Sequence, residues 1–190
     1  MNDHAALRSL LIENEGNLPH MYLDTVGRVT IGVGHMIPAC AAAQQLQFVM
    51  RGTSQNATYD QIAQDYNSVH DQRSGMRADL YSSFTRLEMT PVVVTNLLTK
   101  DIAVMESGVR LSFRGYDSYP SSAQDALLDM AFNLGVSGLI IKFPRLKLAA
   151  ESSDWHVCAL QCQRSGISQD RNDRTKAMFE NACSAPVGAM

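Results

Sequence analysis

The sequence has no run of about 18 consecutive apolar residues, so its pattern offers no membrane-spanning helix. It has no excess of positive charge either: 16 Lys and Arg face 19 Asp and Glu, a formal charge of −3. That balance argues against a general nucleic-acid binder, which carries a basic footprint, and against simple attraction to an anionic membrane or wall. Cysteine is sparse. Cys40, Cys158, Cys162 and Cys183 are too few and too uneven for a disulfide scaffold, and no CxxC or histidine pair makes a zinc pattern. They read as free thiols acting as small hydrophobes, with a bridge through Cys183 conceivable only outside the cytoplasm. The opening MNDHAALRSLLIENEG lacks the long apolar stretch of a secretory signal, so synthesis in the cytoplasm without a signal peptide is expected. Repeats and low-complexity linkers are absent too. What is present, 45% hydrophobic and 18% charged residues with ten methionines, suits a globular protein with an adaptable interior. One domain spanning 1–190, with two lobes, is the simplest organisation.

Local signals divide the chain. Asn2 or Asp3 can cap an opening helix whose Leu7, Leu10 and Leu11 share a face, and Gly16 stands at the usual C′ stop. Glu15 then falls at the helix's negative end, a poor place for a structural carboxylate. From Met21 to Ile37, β-prone residues punctuated by Gly27, Gly32 and Gly34 predict a short hairpin or small twisted sheet. Residues 39–88 are polar and only weakly helical, around 58–69. Thr90 as cap, Pro91 at the first position and the stripe Val94, Leu97, Leu98, Ile102 predict a helix. Ser121 and Gln124 form a capping-box pattern ahead of DALLDMAFNLG, a helix ended by Gly135. Shorter helices are expected over 139–150, 154–163 and 172–182. The class is α+β, mainly α-helical.

The stretch EGNLPHMYLDTVGRVTIGVGH carries the chemistry. Inverting glycoside hydrolysis needs an acid for the leaving oxygen and a second group that activates water on the opposite ring face. Those carboxyl groups lie roughly 6.5–9.5 Å apart to admit the water. In this scheme Glu15, partly desolvated, stays protonated as the acid, and Asp24, in a more polar setting, serves as the base. Thr30 can hydrogen-bond the same water through its hydroxyl. The spacing alone leaves these as ordinary surface and strand residues, with Glu13 competing for the first role.

Glu15, Gly16, Tyr22, Asp24, Gly27, Thr30, Ile31, Gly32, Gly34 and His35 match an E-G-x(6)-Y-x-D-x-x-G-x-x-T-I-G-x-G-H frame. The chain thereby resembles the T-even phage-type lysozymes, the glycoside hydrolases of phage endolysins. The resemblance implies a lysozyme-like two-lobed fold and selects Glu15 over Glu13 as acid, with Asp24 and Thr30 completing the site. It implies sugar contacts from Gly34, Met36, Met130, Phe132 and Asn133 in a cleft between the lobes. Periodicity alone would put Met130 and Phe132 in the core. It also implies a supporting His35–Asp101 pair and an arginine approaching Glu15, Arg171 rather than Arg174. No metal or cofactor is called for.

Against compact members of that family, 41–88 is an insertion of about 45–50 residues between the ribbon (1–40) and the helical lobe (89–190). The chain is also mildly acidic where familiar members are basic. The implied activity is peptidoglycan muramidase, cutting the β-1,4 bond from N-acetylmuramic acid to N-acetylglucosamine. The alternatives are a lytic transglycosylase on the same bond and a non-catalytic wall-binding module. Expected partners are glycan strands and, for an injected antibacterial effector rather than an endolysin, an immunity protein and a secretion apparatus. Nucleic acid and membrane insertion are not expected, and the site of action would be the periplasm or wall of a bacterium.

Overall fold

The first helix, α1 (Ala5–Glu15), starts where Asp3 Oδ1 accepts the Ala5 N–H at 3.1 Å. The computed structural model describes residues 3–184, so the alternative cap Asn2 lies outside the described residues. Gly16, at φ +77°, turns the chain in the left-handed conformation that glycine adopts without strain. Three short antiparallel strands follow in the order β1-β2-β3: β1 (Leu18–Leu23), β2 (Val29–Gly32) and β3 (His35–Met36).

Segment 41–88, polar and nearly patternless in sequence, is folded. It contains most of α2 (Cys40–Ala43), strand β4 (Val49–Met50), helix α3 (Tyr59–His70), a 3₁₀ segment Ala78–Phe84 and strand β5 (Leu87–Glu88). Its α3 starts on a full capping box: Thr58 Oγ1 accepts the Gln61 N–H while Gln61 Oε1 accepts the Thr58 N–H. β4 and β5 pair antiparallel, Val49 with Glu88 and Met50 with Leu87, drawing the two ends of the segment together.

Helix α4 (Pro91–Ser112) begins as its sequence predicts, with Thr90 as cap and proline first. The later helices are α5 (Ser121–Lys142), α6 (Pro144–Glu151), α7 (Trp155–Gln161) and α8 (Gln169–Cys183). Two local expectations fail for tertiary reasons. Gln124 closes no capping box with Ser121: the helix starts one residue earlier, with Pro120 as N-cap and no side-chain cap, and the Gln124 amide donates to the Tyr116 carbonyl at 3.0 Å. Gly135 breaks α5 at φ +69°, yet helix resumes at once to Lys142, so the next helix begins at Pro144 rather than at 139.

The described chain divides into two compact units, with divisions inside α1 and α4. One unit is Leu11–Asp101; the other joins the described residues up to Leu10 with those from Ile102 onward. The 11–101 unit therefore holds all three strands of the first sheet and segment 41–88 together. Its core includes Met21, Ile31, Ile37, Tyr81, Leu87 and Met89, each nearly inaccessible and each contributing about 1.5–3 kcal/mol through burial. In the other unit α5 packs on α8 around Leu127, Met130, Ala131 and Phe179. Cys158 and Cys162 are buried there as free thiols, whereas Cys183 is exposed. No single helix among the described residues is long and apolar enough to cross a membrane.

Candidate active site

Asp24 sits just past the end of β1 in the reversal to β2, held by its own turn. Its Oδ1 accepts the backbone N–H groups of Val26 (2.9 Å) and Arg28 (2.8 Å), while its main chain bonds Arg28 O and Gly27 N. Such an Asx arrangement is what aspartate supplies at tight turns. Gly27 takes φ +82° there, and a Cβ on it would meet Ser74 of segment 41–88 at 3.5 Å. The Asp24 carboxylate is half-buried, and Oδ2 has no hydrogen-bond partner among the described residues.

Strand register carries the site across the sheet. Tyr22 pairs with Thr30, and Thr30 pairs with Met36 on β3. Directly opposed residues share a face, so Tyr22, Thr30 and Met36 form one row, with Asp24 two residues beyond Tyr22 on the same side. Thr30 is buried, and its hydroxyl donates to Arg28 O at 3.1 Å, leaving its oxygen able to accept. Met36 is 43% exposed, and its sulfur lies 3.8 Å from Arg28 Nη1. The Tyr22 hydroxyl feels the charge of both carboxylates. It is pushed up to about 12, chiefly by burial and further by the negative charges of Glu15 and Asp24.

Glu15 is the last residue of α1, as predicted, but it is exposed. The partial desolvation expected for it is not provided by the protein's own side chains, because the chain leaves the helix at Gly16 without covering it. Gly34 is exposed, at φ +74°, in the turn between β2 and β3.

His35 and Asp101 lie together as a half-buried pair, with Nδ1 at 3.0 and 2.9 Å from the two carboxylate oxygens. This contact ties β3 to α4. Segment 41–88 is fastened to the same sheet: His20 of β1 bonds Ala78 O through Nε2 at 3.1 Å, and Met89 N donates to Pro19 O. Burial lowers the His20 pKa, its largest influence.

The remaining candidates lie in the second unit. Met130 is 0% exposed, enclosed by the α5 core, so its candidacy as a sugar contact is corrected to a packing role. Phe132 is half-buried and Asn133 exposed. Arg171 is buried, with Nε and Nη2 at 3.0 and 2.8 Å from Asp129 Oδ1. Arg164 Nη2 and Thr175 Oγ1 donate to Asp129 Oδ2 at 2.6 and 2.7 Å, completing a buried ionic cluster. Asp129 and Arg164 escaped the sequence reading, since nothing local marks a carboxylate that meets partners 35 and 42 residues on. Arg174 instead pairs with Asp170 along α8.

Among the described residues, no group of three or more His, Cys, Asp or Glu could hold a metal ion. No protein-family model matches the chain, and a search of curated proteins returned no match.

Proposed function

We propose that this chain is a peptidoglycan muramidase of lysozyme-like fold that cleaves the β-1,4 bond between N-acetylmuramic acid and N-acetylglucosamine with inversion. The observation that carries the reading is the row Tyr22–Thr30–Met36 with Asp24 at its end and the charges of Glu15 and Asp24 both acting on Tyr22.

In this reading each group has a job that its hydrogen bonds leave it able to do. Asp24 Oδ1 is occupied by two backbone N–H groups, which leaves Oδ2 for one hydrogen of a water. Thr30 donates to Arg28 O, so its oxygen accepts the water's other hydrogen. A water held by both hydrogens keeps a lone pair for the anomeric carbon, and Asp24 takes its proton as the C–O bond forms. Glu15 gives its proton to the departing glycosidic oxygen. A sugar seated over the exposed Glu15 would displace its water, the condition in which a carboxylic acid keeps its proton until the transition state.

Acting on the wall requires delivery to the periplasm. The net charge of −3 and the folded segment 41–88 favour local injection by a secretion apparatus, with an immunity protein in the producer, over diffusion as a basic lysin. The test is mass spectrometry of fragments released from purified peptidoglycan by wild type and Glu15→Gln. Reducing muropeptides from the first and none from the second are expected. Anhydro ends would reassign the reaction to a lytic transglycosylase, and no release from either folded protein would end the enzyme reading.

A further inference from the structure

Segment 41–88, with Thr90 and Val93 of α4's start, lines an open groove of about 860 Å³. That lies within the range of sites that enclose small molecules or short oligomers. The floor is apolar: Phe48 and Ile62 are buried, with Val49, Ala57 and Val93 half-buried around them. The rim is polar but uncharged. Neither Lys, Arg, His, Asp nor Glu lines the groove, in a chain that is 18% charged.

The polar groups fall into two sets. Gln44, Thr58 and Thr90 are committed to the fold, Gln44 donating to Tyr59 O at 3.1 Å, Thr58 capping α3 and Thr90 accepting the Val93 N–H. The side chains of Gln45, Gln47, Ser54 and Asn56 make no hydrogen bond to the described residues, and each is exposed at the rim. Beside them the Tyr59 ring is 66% exposed, presenting an apolar face with a polar tip.

We infer that this groove is a second glycan-binding site, taking neutral N-acetylated hexosamine units apart from the candidate catalytic row. The inference rests on the muramidase reading for its biological ligand. The absence of charge disfavours a phosphate, a cation or an acidic peptide, each of which needs a compensating group. A neutral acetamido sugar satisfies all parts of the lining: its methyl group and ring C–H face meet the apolar floor and Tyr59, and its hydroxyls and amide meet the three uncommitted carboxamides. None of Glu15, Tyr22, Asp24, Thr30 or Met36 lines the groove. Binding there would hold a glycan strand near the enzyme between cuts and raise its effective concentration on insoluble wall.

The probe is N,N′,N″-triacetylchitotriose, titrated into the full-length, isotope-labelled Glu15→Gln chain while backbone amide resonances are followed. Saturable shifts at Gln47, Asn56 and Tyr59 are expected. They should weaken by about tenfold in Tyr59→Ala, whose exposed ring can be removed without opening the core. Asn56→Ala should weaken them too, and the deacetylated trimer should produce none. Shifts confined to the Tyr22, Thr30 and Met36 row would overturn the second site and leave the muramidase reading intact. Groove shifts alongside a wild type that releases no wall fragments would uphold the site while removing the enzyme. Equal groove shifts with an uncharged amphipathic peptide would overturn the glycan assignment in favour of protein docking.

Discussion

Removing the charge of Asp129 should be among the most damaging single changes available in the second unit. Its carboxylate is 0% exposed and receives Arg164 at 2.6 Å, Arg171 at 2.8 and 3.0 Å, and the Thr175 hydroxyl at 2.7 Å. In Asp129→Asn one oxygen becomes an NH₂ group facing a guanidinium, so half of these bonds lose their acceptor and a buried cation loses its counter-charge. Breaking a buried pair in this one-sided way costs about 3–5 kcal/mol. That is a large share of the roughly 5–15 kcal/mol that holds a domain folded. The single tryptophan, Trp155, is buried against Tyr119 at 4.9 Å in the same unit and reports its unfolding by fluorescence in urea. Adding Arg164→Met removes the stranded charge, so the double variant should regain part of the loss rather than sum the two costs. An Asp129→Asn midpoint equivalent to less than about 1 kcal/mol, or strictly additive losses, would refute the cluster's ionic character.

Two other perturbations follow from buried polar groups. His4 Nδ1 lies 2.6 Å from Asp125, and that hydrogen bond, with the Asp125 and Glu106 charges, raises its pKa against the opposing effect of burial. A histidine raised on folding stabilises fully below its unfolded value of about 6.5 and loses that contribution as pH climbs through the folded value. The Tm advantage of wild type over His4→Gln should therefore shrink on going from pH 6 toward alkaline pH, and a constant difference would refute the pairing. Asp65 accepts the N–H groups of Arg86 and Leu87 on one oxygen, Oδ2, yet burial keeps its pKa raised. Asp65→Asn can retain both bonds through its carbonyl and should change stability little. Asp65→Leu leaves two donors unmet, at about 1–3 kcal/mol each if they stay buried. Urea denaturation of the pair checks this, and equal costs would refute it.

Features written in adjacent residues were legible before the fold was seen. Gly16 after Glu15, the glycines around Asp24 and the proline of α4 are backbone signals that act over a few residues, and each element begins or ends where they place it. Signals that depended on distant partners were not. The Ser121–Gln124 pattern was sound locally, but Pro120 takes the cap position and the Gln124 amide turns to the Tyr116 carbonyl. The β4–β5 pairing joins residues about forty positions apart through two-residue strands too short to show alternation. The candidate site divides in the same way. Asp24 and Thr30 came from a motif, whereas the placing of Tyr22 opposite Thr30 needed the register of β1 on β2. Met130 shows the limit of carrying positions across by resemblance, since helical periodicity alone already placed it inside.

The meeting of β4 and β5 has a consequence for how this chain can vary over time. The β4–β5 stem closes the stretch between Met50 and Leu87, and within it the turn at 52–55 is exposed and apart from the His20–Ala78 anchor to the first sheet. Lengthening a closed loop adds free energy only with the logarithm of its size, about 0.6 kcal/mol per doubling. Lineages could therefore lengthen or trim that exposed turn, at the edge of the groove, while the spacing from Glu15 through Thr30 stays untouched.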